Sequence, residues 1–130
     1  MSSVAAPAVS RVLFLGLDSS LCAELGQSLR EHEVIALRKA PETVEDMRRC
    51  LRQTSPDMIF CPATDASLSV TLEAARPEDV PVIVVSRLPH AHEWLDAMEA
   101  GAADYVAAPF ESRQIEWVMS ANRRVLAAGV

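Results

Sequence analysis

Residues 80–110 read VPVIVVSRLPHAHEWLDAMEAGAADYVAAPF, and this stretch decides the fold. The run Val82 to Ser86 is almost entirely apolar, as expected of a strand covered on both faces. A segment of helical period follows from about Ala91 to Ala100. Its spacing predicts Leu95 and Met98 on the buried side and Trp94 toward solvent, and it stops at Gly101, the residue best able to take a left-handed C-terminal position. A second short strand follows at Asp104 to Ala107. Strand, helix and strand joined by short connections form the repeating unit of a parallel sheet.

The same alternation extends to both sides. Further strands are expected at Val12 to Gly16, Val34 to Leu37 and Met58 to Cys61. Leu21, Leu25 and Leu29 mark a first helix, and Val44, Met47 and Leu51 a second. Pro41 suits the first turn of that second helix, with Glu42 and Glu45 near its positive end. A third segment, Leu68 to Arg76, carries Ser69, Val70 and Thr71 and is expected to form only a short helix. Ile115, Val118, Met119, Asn122, Val125 and Leu126 mark a fifth. Five such units make a three-layer, doubly wound α/β domain, whose ligands sit outside the carboxyl ends of the strands. The residues there are Gly16, Leu17 and Asp18, then Pro62 to Asp65, Ser86 and Arg87, and Ala108 and Pro109.

The chain has 130 residues, half of them hydrophobic, enough for one domain with its own core. We expect residues 1–10 to form a flexible tail and residues 11–127 a single domain. A formal net charge of −6 argues against phosphate-backbone binding, so no direct contact with nucleic acid is expected. Lys39 is the only lysine, which rules out lysine chemistry elsewhere. Cys22, Cys50 and Cys61 are odd in number and include no C-x-x-C pair, which fits a reducing cytoplasm. No apolar run approaches the roughly 20 residues that a membrane helix needs.

Three segments carry a resemblance to a known family. They are Pro56-Asp57-Met58-Ile59-Phe60-Cys61, Val80-Pro81-Val82-Ile83-Val84-Val85-Ser86, and above all Ala100-Gly101-Ala102-Ala103-Asp104-Tyr105-Val106-Ala107-Ala108-Pro109-Phe110. From Arg11 to about Arg124 the chain resembles the receiver domain of bacterial two-component response regulators. The resemblance implies a flavodoxin-like parallel sheet in the order 2-1-3-4-5 and a cytoplasmic, non-enzymatic signalling role in a phosphorelay. In such receivers an aspartate ending strand three accepts a phosphoryl group. Two acids after strand one help bind Mg²⁺, and a lysine before Pro-Phe pairs with the phosphoryl oxygens.

Here those positions fall on Pro62, on Gly16 and Leu17, and on Ala108, none of which can supply the chemistry. Asp18 is the one acid near the missing pair, so Mg²⁺ binding is expected to be lost or weak. The resemblance also places Ser86 at the hydroxyl that contacts the phosphoryl group, and Tyr105 at the aromatic that rotates between exposed and buried positions. Without an acceptor, switching by phosphorylation is not expected. The receiver is then a degenerate one, acting through protein contacts with a partner or a second copy. Its expected face is the fourth helix, fifth strand and fifth helix, with Trp94, Tyr105 and Trp117 as anchors.

Two rival readings remain: a phosphorylatable receiver using Asp65, three residues beyond Pro62 on an expected loop, and a flavodoxin-like anion or small-ligand site at Ser19, Ser20 and Ser86. For the latter, no G-x-G-x-x-G or P-loop follows Gly16, and one of the two serines serves as a helix N-cap. Cys61 lacks the C-x-x-x-x-x-R phosphate loop, since position 67 is Ser, and reads as a buried strand cysteine. His90 and His92, beside Glu93 and Asp96, are two residues apart and do not share a helix face, so they read as solvated rather than metal-binding.

Overall fold

A computed structural model describes residues 10–87 and 91–122, with the side chains of residues 65, 66 and 91 excepted. Five parallel strands, β1 (Ser10–Leu15), β2 (Val34–Lys39), β3 (Met58–Pro62), β4 (Val82–Ser86) and β5 (Asp104–Ala107), form one sheet in the order β2-β1-β3-β4-β5. They alternate with α1 (Ser19–Ser28), α2 (Val44–Thr54), α3 (Asp65–Ala75), α4 (Ala91–Ala100) and α5 (Ser112–Asn122). The expected doubly wound fold and strand order are therefore observed. Among the described residues no helix is long and apolar enough to cross a membrane.

Strand periodicity divides the core into two layers. Leu13 and Leu15 of β1 join Met47, Leu51, Leu72 and Ala97 beneath α2, α3 and α4. Val12 and Phe14 join Leu21, Leu25, Ile115, Val118 and Met119 beneath α1 and α5. In that second layer Phe14 and Phe60 meet edge to face with centroids 5.8 Å apart, a favourable aromatic geometry. β1, β3 and β4 are buried on both faces, as their apolar sequences require.

Several expectations need correction. Ser10, assigned above to the tail, opens β1 and is buried, while residues 1–9 lie outside the described ones, as do Val125 and Leu126 of the expected fifth helix. Pro41 is not in the second helix: α2 starts at Val44, and its N-cap is Thr43, whose hydroxyl accepts from the Asp46 amide. A capping hydroxyl with Glu45 and Asp46 behind it is the stronger start signal. The third helix is eleven residues long rather than short, because burial of Leu68, Thr71, Leu72, Ala74 and Ala75 outweighs the weak propensity of its first half.

The largest correction concerns α4. Leu95 is 49 % exposed and Met98 37 %, and the buried residue is Ala97. Ala97 lies in the cluster that holds Tyr105, Leu68 and Leu72. Glu93, on the same inward side, accepts a hydrogen bond from the Tyr105 hydroxyl. A small residue and a satisfied carboxylate let the helix lie close to β5, and this arrangement overrides the apolar spacing. Trp94 is 46 % exposed, as expected.

Candidate functional site at the strand carboxyl ends

The connections after β1, β3, β4 and β5 converge on one edge of the sheet, bringing together Gly16, Leu17, Asp18, Pro62, Ser86 and Ala108. Pro62 is the last residue of β3, paired in register with Val85 of β4, and Ser86 pairs with Ala107 of β5. The Ala108 amide donates to the Ser86 carbonyl at 2.8 Å, tying the β5 exit to β4.

Gly16 leaves β1 at φ +70°, a left-handed conformation that costs a side chain energy, and its amide donates to the Lys39 carbonyl. A Cβ built on it would lie 3.8 Å from Pro62 Cδ and from Ser67 Oγ, which is ordinary contact. Leu17 turns away from this edge. Only 5 % exposed, it packs in the layer formed by Phe14, Leu21, Val85 and Val106. Ala108 packs against the same layer.

Asp18 is the acid that remains at the edge, and its carboxylate is already engaged. It accepts from the Leu21 amide at 2.8 Å, so Asp18, and not Ser19 or Ser20, is the N-cap of α1. It also accepts from Arg87 Nη2 at 3.0 Å, while Arg87 Nη1 reaches Glu24 at 3.2 Å. The Leu21 amide, helped by the Arg87 guanidinium, holds the Asp18 carboxyl below its ordinary value, and the two carboxylates raise Arg87 in turn. The sequence placed Arg87 at this edge without giving it a role. The signal was a cation directly after a strand, opposite acids at the start of the first helix.

The remaining sequence candidates divide. Tyr105 is buried, at 8 % exposure, with its hydroxyl on Glu93 rather than in water. Trp117 is 69 % exposed on α5. Asp65 opens α3 instead of lying in a loop, and its side chain lies outside the described ones, as does His90. His92 is exposed. Among the described residues no group of three His, Cys, Asp or Glu could hold a metal ion. Cys61 is fully buried, and burial pushes its thiol up to about 12, which makes it inert as a nucleophile at neutral pH.

This edge therefore has a serine hydroxyl at Ser86 but no carboxylate at the end of β3 and no amine before Pro109. Mg²⁺ needs several oxygen ligands. Gly16, Leu17 and Pro62 offer no side-chain oxygen, and Asp18 is committed to a helix cap and a guanidinium, so the described side chains at this edge do not fit the ion. An anion at the start of α1 would meet the Asp18 carboxylate, so the helix terminus that favours anions elsewhere is taken. Ser19 Oγ accepts from Arg38 at 2.9 Å.

Comparison with solved structures places this geometry. The chain superposes on a two-component response regulator from Clostridium difficile with a TM-score of 0.67 and 17 % identity, covering 91 % of this chain and 99 % of that one. The chain has the receiver fold. A CheY-like protein, tadZ, from Pseudomonas aeruginosa PAO1 matches with a TM-score of 0.69 and 17 % identity, over 85 % of this chain and 97 % of that one. NtrX from Brucella abortus matches with a TM-score of 0.68 and 13 % identity over 88 % of this chain, which spans only 27 % of that longer protein. No family model and no curated protein matches the sequence.

Proposed function

We propose that this receiver-fold chain is a non-catalytic signalling domain of the two-component type that works without phosphoryl transfer, through protein contacts on the face formed by α4, β5 and α5. The observation that carries the reading is Pro62 at the end of β3. A side chain without a nucleophile ends the strand where receivers keep their acceptor, and Asp18, the acid that follows β1, is held by Arg87. A ligand shifts a conformational equilibrium only by binding one state better, and a phosphoryl group has no attachment point at Pro62. Trp94 and Trp117 expose large aromatic surfaces on α4 and α5, the side-chain type that dominates interface energetics.

The test is intact-mass spectrometry after incubation with acetyl phosphate and Mg²⁺, with Asp65→Asn as a control. No phosphoryl adduct is expected. An adduct abolished by Asp65→Asn would establish a relocated acceptor, and an adduct that survives it would establish another; either overturns the reading. Pro62→Asp by itself is also expected to stay unlabelled, because Gly16, Leu17 and Ala108 still leave the acceptor without metal ligands or an amine.

A further inference from the structure

α4 lies on the sheet with Ala97 and Glu93 inward and its large apolar residues outward. Its arc of Trp94, Leu95 and Met98 is 46 %, 49 % and 37 % exposed. Trp94 and Met98 are one turn apart and Leu95 and Met98 three residues apart, so the three side chains are neighbours on the helix surface. They are three of the five large hydrophobic side chains exposed among the described residues. Single exposed apolar residues need no explanation, but a strip confined to one helix does.

The border of the strip is acidic. Beyond Leu95 the helical rotation of 3.6 residues per turn brings Glu99, His92 and Asp96 in succession, all exposed. With Glu93, α4 carries three carboxylates and neither Lys nor Arg. On this acidic side His92 and Asp96 line a cleft of about 450 Å³ together with Leu68 and Ser69 of α3. The cleft is wide enough for one long side chain.

Resting on the protein-contact reading above, we infer that the outward face of α4 docks a basic amphipathic helix of a partner protein, its apolar side on Trp94, Leu95 and Met98 and its Lys or Arg residues along Asp96 and Glu99. Charge selects this occupant. Two copies of α4 laid together would oppose Asp96 and Glu99 of one to those of the other, in a chain that already carries −6, and like-charge juxtaposition disfavours that pairing. Length suits a helix, because α4 itself, ten residues long, rises about 15 Å and a partner helix can lie along it with its apolar side on the strip. The apolar residues supply most of the affinity, and the acidic border supplies orientation and a salt-dependent association rate.

The experiment is a ¹⁵N–¹H titration of the full chain with a synthetic Leu/Lys peptide of helical spacing, roughly 15–18 residues so that it can fold on contact. A Leu/Glu peptide of the same pattern is the control. Expected are saturable shifts concentrated between His92 and Ala100, and no binding of the acidic peptide. A Leu95→Ser/Met98→Ser variant and an Asp96→Lys/Glu99→Lys variant should each weaken binding about tenfold or more. All four positions are exposed, so the variants keep the fold, and circular dichroism checks it. Absent binding, shifts mapped elsewhere, or affinity unchanged in either variant overturns the inference. Self-association lost on Trp94→Ala, seen by sedimentation, would overturn it while sparing the contact face. Phosphoryl labelling would instead overturn the functional reading it rests on.

Discussion

Leu17→Asp restores an acid at a position where receivers keep one, and here it should damage the fold rather than repair a site. Leu17 is 5 % exposed and packed among Phe14, Leu21, Val85 and Val106. Removing such a side chain, as in Leu17→Ala, costs about 3 kcal/mol. Placing a carboxyl there without a hydrogen-bond partner adds about 2 kcal/mol. A total of about 5 kcal/mol is a large part of the roughly 5–15 kcal/mol that stabilises a domain. At about 3–5 °C per kcal/mol for a chain of this size, the melting temperature should fall roughly 15–25 °C. The neighbouring Gly16→Asp should cost only about 1–2 kcal/mol, from its left-handed backbone, since its Cβ meets nothing closer than 3.8 Å.

Thermal melts followed by circular dichroism across pH separate the terms. Burial would raise the pKa of the introduced carboxyl in the folded state, so the charging part of its penalty is absent at low pH, where both states are protonated and only the cost of a buried neutral carboxyl remains. The penalty grows as pH rises through the unfolded value, about 3.9. The gap between Leu17→Asp and Leu17→Ala should therefore widen from pH 4 to pH 7. A Leu17→Asp protein melting within a few degrees of the parent, or a gap that closes with rising pH, would refute the placement of Leu17 in the core.

Asp18→Ala should lower the melting temperature at neutral pH by removing both the α1 cap and one arm of the Arg87 pair. Because the Asp18 pKa is depressed in the folded state, that contribution is present above the unfolded value and lost as pH falls through the folded one, so the two proteins should converge in acid. A difference that persists in acid would contradict this. Cys61 should resist alkylation by iodoacetamide at neutral pH in the native protein and react fully in denaturant, while the partly exposed Cys22 reacts first. Native labelling of Cys61 at the rate of Cys22, read by peptide mapping, would show the strand end to be open.

That Pro62 carries no nucleophile and Ala108 no amine was legible in the sequence because it depends on residue types alone, whatever surrounds them. The strands were legible because apolar runs such as Val82 to Val85 can satisfy both burial and backbone pairing only inside a sheet. The N-cap was not, since Asp18, Ser19 and Ser20 are all capable caps, and the choice fell to the residue that Arg87, 69 positions away, could also reach.

Local pattern thus determined the element order, the parallel sheet and the residue types at its carboxyl edge, because each follows from side chains and their spacing along the chain. Only the tertiary structure decided which way α4 faces, that Leu17 belongs to the core, and that Asp18, Glu24 and Arg87 form one cluster. The physical reason is the same in all three cases. Helical periodicity shows that a face exists, but close packing of Ala97 beside Tyr105, and the meeting of charges from α1 and the exit of β4, depend on distances that exist only once the sheet has assembled.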